Sequence, residues 1–303
     1  MPIFGSKYTS MSEDTVKIST TGSTSFHYSF SFLPREQRHA IRTVYAFCRR
    51  IDDIVDEGPS ESPEDIATKR ERLQWWRSEV ESLYNPAAAS VLTKGLSQSL
   101  QSVIRRYSIP KQHFLTLIDG CERDLVQHRY ATFDELKEYC YAVASTVGLI
   151  SIEIFGYKNE QTRQYAINLG YALQLTNIMR DLKGDILRGY VYLPLEDLER
   201  FRYSEQDLKN GVYNEAFRAL MTFQVQRARH YYHKARTLLV PEEKVTMVAA
   251  EIMDAIYYRL LDKIELQDYA VFTKHISVST VHKLATALRI WLSSKLFIQR
   301  LRG

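Results

Sequence analysis

The chain has 303 residues, 45% hydrophobic and 25% charged, and its 40 basic against 36 acidic side chains give a formal net charge of +4. This composition supplies a sizeable core and excludes a disordered or collagen-like chain, and no basic tract is dense enough for a nucleic-acid footprint. A mild positive surplus suits an anionic small molecule or a lipid surface. With only 8 prolines and 12 glycines and no interior Pro/Gly/Ser-rich linker, the chain reads as one domain of long helices.

Residues 1–24 are rich in Ser and Thr, lack an apolar segment and carry no cleavage-like pattern, so they are expected to form a disordered leader rather than a signal peptide. Residues 25–303 are expected to form a single all-α domain. Helical periodicity covers about 35–57, 64–84, 88–107, 111–128, 133–156, 160–188, 214–238, 242–267 and 279–301. Pro34 precedes the first run, Pro110 suits the first turn of its helix, and Thr132 with Glu135 forms a capping-box pattern. Only GYVYLP, 189–194, looks extended. Cys48, Cys121 and Cys140 lack CxxC spacing and sit in apolar-periodic sequence; buried free thiols in a reducing cytoplasm are expected. No segment reads as long and apolar enough to span a membrane. The last run alternates Leu284, Leu288, Trp291, Leu292 and Leu296 with Lys283, Arg289, Lys295 and Arg300. The plainer expectation is a terminal helix packed on the body; the alternative is peripheral contact with the inner membrane face.

Two aspartate pairs carry the chemistry: Asp52 with Asp56 in RRIDDIVDE, and Asp181 with Asp185 in QLTNIMRDLKGD. Residues four apart lie on one helix face, so each segment aims two carboxylates in one direction. The repulsion costs only about 0.2–0.5 kcal/mol for an exposed pair, and it grows in a cavity of lower dielectric. A divalent cation relieves it. Mg²⁺ prefers oxygen ligands and is held by one or two carboxylates plus substrate phosphates, so the pattern points to a diphosphate substrate. Asn177 adds an amide oxygen one step ahead of Asp181 and Asp185. A solvated acidic face would show the same spacing, but Ile51, Ile54 and Val55 surround the first pair and the largely uncharged YAINLGYALQLTNIM precedes the second.

The 20 tyrosines and 13 phenylalanines place Phe26, Tyr28, Phe30, Tyr45, Phe47, Tyr141, Tyr171, Tyr257 and Tyr258 in or near these helices. A ring face stabilises a nearby cation by about 0.5–2 kcal/mol, although most aromatics are core filler. Ala142, Ala144, Ser145, Gly148, Gly170 and Ala172 leave room either for a tunnel that takes a long apolar tail or for close helix packing.

Three blocks, YAFCRRIDDIVDE, YCYAVASTVGLISIEIFGY and LGYALQLTNIMRDLKGDILRGYVYLP, together resemble the squalene/phytoene synthase family of head-to-head isoprenyl diphosphate synthases. The resemblance implies the isoprenoid synthase fold, a bundle of long helices around a central cavity with a Mg²⁺ cluster, or Mn²⁺ in its place. It implies that Asp52, Asp56, Asn177, Asp181 and Asp185 hold metal, and that Arg49 and Arg180 contact diphosphate. Tyr45, Tyr257 and Lys274 would lie near the diphosphates, while Tyr141, Gln174 and Phe26 would line the substrate site, with Tyr141 grouped with the aspartates as catalytic. Two departures stand out. Lys183 and Gly184 precede Asp185 where the family usually has a glutamate, and Gly22 and Thr24 stand where it can carry His and Lys.

The implied reaction ionises one prenyl diphosphate to an allylic cation. The second molecule's double bond attacks that cation, and proton loss closes a cyclopropane in a water-free cavity. The wording of VGLISIEIFGY and YVYLPLEDL puts presqualene diphosphate synthase, acting on two farnesyl diphosphates, first. Phytoene synthase, acting on two geranylgeranyl diphosphates, or dehydrosqualene synthase comes second, and full squalene synthase, with NADPH, third. Expected partners are prenyl diphosphates, the membrane surface and downstream isoprenoid enzymes, not nucleic acid. Head-to-tail elongation should show two DDxxD motifs, and a non-catalytic lipid-binding protein would not need all five metal-ligand candidates.

Overall fold

Proline, serine and threonine side chains punctuate the chain where the helices begin. The computed structural model describes residues 25–57, 62–85 and 95–302, with side chains described from 28 to 296 within those spans; the expected leader lies outside them. Helix α1 spans Ser25–Phe30 and α2 spans Arg35–Asp56 with Pro34 as its N-cap. Helix α3 (Pro63–Leu83) is capped by Ser62, which accepts from the Asp65 N–H. Next come α4 (Leu96–Tyr107), α5 (Lys111–Arg123) and α6 (Phe133–Cys140). Thr132 accepts from the Glu135 N–H at 3.3 Å, but Glu135 reaches the N–H of Ala131 at 2.8 Å, one residue short of the expected reciprocal bond. A π-helical turn, Tyr141–Ser145, leads into α7 (Thr146–Phe155), and α8 runs over Gln161–Leu187. Short helices α9 (Leu195–Arg200) and α10 (Glu205–Lys209) precede α11 (Glu215–Leu238), α12 (Val248–Leu266) and α13 (Thr280–Arg302).

The expected run at 242–267 divides into a 3-10 turn, Pro241–Val245, and α12. The turn also closes the start of α8, because the Glu243 carboxylate accepts from the Lys158 and Asn159 N–H groups and the Thr162 hydroxyl. The run at 111–128 stops at Arg123 because the chain bends to put His128 and Arg129 beside Val191, in an isolated parallel bridge that uses the extended GYVYLP.

Helix α8 is the axis of the molecule, packing against α7, the π turn, α11 and α12. Its neighbours fit because glycine replaces a side chain at two contacts. A Cβ on Gly170 would meet the Ser145 Cα at 2.6 Å, and one on Gly148 would meet the Ala166 carbonyl oxygen at 2.9 Å. Gly120 of α5 closes on Ala142 from the opposite side of the π turn. Backbone atoms cannot yield as a flexible side chain can, so Gly170→Ala is expected to cost about 2–4 kcal/mol through overpacking. A denaturant midpoint equal to wild type would show that the helices separate freely.

The three cysteines are buried and free, as expected. One expectation fails: Phe133–Phe155 is long and apolar enough to cross a membrane, but 72% of its apolar window is buried inside the body, as a core helix is. Helix α13 packs through Ala287 and through Trp291 against Phe32, yet Val281, Leu284, Leu288, Leu292 and Leu296 face outward as an exposed row.

Candidate active site

On α2, Tyr45, Arg49, Asp52 and Asp56 follow at steps of four, three and four residues and share one face. The alternate face, with Ile51, Ile54 and Val55, is core, and its burial draws Asp52 down to 3% exposure. Arg49 donates from Nη1 to Asp52 Oδ2 at 3.2 Å and from Nη2 to Asp53 Oδ1 at 2.9 Å. On α8, Asn177 and Asp185 are 1% and 2% exposed, and Asp181 between them is half-buried. Arg180 donates from Nε to Asp181 Oδ1 at 2.8 Å and also hydrogen-bonds the Tyr257 hydroxyl.

Arg188 shows that the rows face each other. It donates from Nη2 to Asp185 Oδ1 at 2.7 Å, and its Nη1 lies 3.5 Å from Asp56 Oδ1, so one guanidinium spans the two helices. Five carboxylates, counting Asp53, therefore meet three guanidiniums. Burial pushes the Asp52 carboxyl well above its usual range, Asp56 pushes it further, and Arg49 opposes both. Burial raises Asp185 to about 6, with Asp181 adding to the shift and Arg188 resisting it.

This donor set fits a hard divalent cation. It offers only oxygens, its carboxylates are crowded, and the buried Asn177 amide makes no hydrogen bond of good geometry among the described residues, although it lies beside the Tyr257 hydroxyl. Among the described residues, no group of three or more His, Cys, Asp or Glu could cage a metal unaided.

The other candidates divide. Tyr141 opens the π turn, half-buried against the core, a position where π turns recur at functional sites. Gln174 is fully buried on α8, between the acidic row and the apolar part of the helix. Tyr257 is buried against Arg180. Lys274 is exposed in the turn after α12 and makes no side-chain hydrogen bond or ion pair among the described residues. Phe26 falls in α1, but its side chain lies outside the described ones, and Gly22 and Thr24 lie outside the described residues. Lys183 is exposed, turned away from the acidic row as its place beside that face requires.

Three features do not stand out from sequence as parts of the site. Arg188 is one. Lys283 is another: it packs over the Tyr28 ring at 6.0 Å and sits near enough to Arg180 that, after burial, that guanidinium is the main influence lowering its pKa. The third is Asp124, fully buried behind the rows, where it accepts from the Tyr139 and Tyr192 hydroxyls at 2.8 and 2.9 Å. The YVY spacing is the one sequence signal for that cluster.

A narrow apolar crevice is lined by small residues Ala144, Gly148 and Gly170 and by Leu169, Leu173 and Tyr165, among others. Both alternatives for the small residues are realised, and at the same positions: Gly148 and Gly170 border the crevice and also let α7 and the π turn approach α8 closely, as Gly120 does at Ala142. Tyr165, Leu169, Leu173, Asn177, Asp181 and Asp185 step by four along α8, so one ridge changes from apolar to acidic.

An all-α body with two acidic helices facing each other and an apolar crevice alongside α8 defines a prenyltransferase of the isoprenoid synthase fold. Residues 19–282 match the family described as Squalene/phytoene synthase, and the chain belongs to that family, whose members join two prenyl diphosphates head to head. It is 37% identical over 288 residues, 90% of each chain, to a 15-cis-phytoene synthase of Synechococcus elongatus. Its fold matches the squalene synthase HpnC of Alicyclobacillus acidocaldarius at 28% identity and TM-score 0.71, covering 80% of this chain and 89% of that one. It also matches a dehydrosqualene synthase at 25% identity and TM-score 0.75, covering 93% and 94%.

Proposed function

We propose that the protein condenses two geranylgeranyl diphosphates head to head in the presence of Mg²⁺, the reaction of a phytoene synthase. The order of residues along α8 supports the reading: Tyr165, Leu169 and Leu173 line an apolar crevice and Asn177, Asp181 and Asp185 follow as an acidic row, a match for a prenyl tail and a diphosphate head. Asp52 and Asp56 on one side, and Asn177, Asp181 and Asp185 on the other, hold the metal. A divalent cation bound there supplies the Lewis-acid pull that loosens the diphosphate leaving group. Arg49 and Arg180 fork onto phosphate oxygens, as guanidiniums do, and Tyr257 holds Arg180 in place. The apolar walls of the crevice keep water from the prenyl chain.

The wording of the motifs puts the farnesyl reaction first. The identity and coverage of the phytoene synthase relative favour the longer substrate instead. Presqualene diphosphate formation from two farnesyl diphosphates is the second reading, favoured by the fold's likeness to the two C30-type enzymes. The test incubates purified protein with Mg²⁺ and either diphosphate, with and without NADPH, and identifies products by mass spectrometry. A C40 hydrocarbon supports the first reading; presqualene diphosphate insensitive to NADPH moves the assignment to the second. Chelation of the metal is expected to abolish product in either case, and product formed under full chelation would overturn the metal assignment.

A further inference from the structure

Arg49 and Arg180 each pair with carboxylates of their own helix, whereas Arg188 pairs across helices, with Asp185 of α8 and Asp56 of α2. We propose that Arg188 is a resident counter-cation, holding the two acidic rows together before metal arrives and competing with metal for Asp56 and Asp185. This rests on the metal-binding reading above.

The placement favours a cation that can leave. Arg188 is the C-cap of α8, where the backbone carbonyls of the last turn favour positive charge. Gly189 follows at φ +87°, so the chain turns away at once and the side chain alone reaches back over the site. Its guanidinium also lies 5.7 Å from the centroid of the Tyr190 ring, a second resting place beside the acids. The Tyr190 hydroxyl is anchored on the Asp124 carbonyl at 2.9 Å, so that ring is fixed. Half-buried Arg188 is not a salt bridge between two surface chains: it faces a carboxylate that is 2% exposed. Metal reaching Asp56 and Asp185 must therefore displace a cation already in place, which keeps bare-metal affinity low until phosphate oxygens add their own charge.

The test measures Mn²⁺ binding to the whole protein without prenyl substrate, by the electron paramagnetic resonance signal of free Mn²⁺. Arg188→Gln is expected to bind Mn²⁺ about tenfold more tightly than wild type, since one competing positive charge is gone from within a few ångströms of the ligands. Arg188→Lys, whose ammonium cannot fork between two carboxylates, should fall between the two, and it keeps the test alive if the glutamine variant unfolds. Arg218→Gln makes the same change in net charge at an exposed pair with Asp268 and is expected to leave Mn²⁺ binding unchanged. A folded Arg188 variant with wild-type or weaker Mn²⁺ affinity overturns the proposal, because a purely structural arginine alters melting and not metal competition. If the wild type forms no condensation product but the variants still bind Mn²⁺ more tightly, the counter-cation stands and the proposed reaction falls.

Discussion

Asp52→Asn is expected to lower kcat/KM by about 10³-fold or more while leaving the melting temperature at or above that of wild type. The two effects share one cause. Asp52 is buried beside Asp56, and burial holds its carboxyl well above the usual range, so the ionised form is an unfavourable guest in the folded protein. Asparagine has nearly the same shape without the charge. It relieves the repulsion from Asp56, and Arg49 keeps its 2.9 Å bond to Asp53. A carboxylate retained at a cost to the fold is one whose charge serves something other than the fold. The paired measurement is steady-state kinetics with calorimetric melting. A variant that loses activity only because it melts lower would make Asp52 a structural residue, and full activity would remove it from the metal site.

The acidic rows are legible in the sequence because their information is local. Spacing of four residues places Asp181 and Asp185 on one face whatever surrounds them, and the apolar residues between Asp52 and Asp56 announce burial. Helix boundaries are legible for the same reason: periodicity over 160–188 and 214–238 becomes Gln161–Leu187 and Glu215–Leu238. What stays hidden depends on how helices cross. Arg188 looks like an ordinary basic residue at a helix end until α2 is laid beside α8. Lys283 reads as one edge of an amphipathic segment until α13 is docked with that lysine inward. Asp124 meets its tyrosines 15 and 68 residues away along the chain. Lys274 stands exposed in the turn after α12, so its place depends on that turn and not on any helical spacing.

Ser151→Phe is expected to reduce use of the longer prenyl substrate selectively, because the packing of α7 on α8 fixes which end of the crevice is deep. The Ser145 hydroxyl donates to the Ile167 carbonyl at 2.8 Å, and Gly148 closes on Ala166, so α7 runs antiparallel to α8. Moving away from Asp181, a tail passes Leu173 and Gly170 first and reaches Ser151, Ile152 and Tyr165 last. Tyr165 lies sixteen residues before Asp181, about 24 Å along the helix axis at 1.5 Å per residue. Ser151 is half-buried, and its hydroxyl donates only to the Val147 carbonyl of its own helix at 2.7 Å, so a phenyl ring there fills crevice rather than displacing core. A pocket distinguishes chains by the methylenes it can no longer bury, each worth about 1–3 kcal/mol, or about 10–200-fold. The geranylgeranyl chain carries one isoprene unit beyond farnesyl, so kcat/KM for the longer diphosphate should fall at least about tenfold, with that for the shorter one nearly unchanged. Competition between the two diphosphates in one reaction reads the ratio directly and cancels any difference in folded protein. An equal loss for both substrates would mean that the tail does not run along this ridge, and the crevice would then have to be filled by something other than substrate.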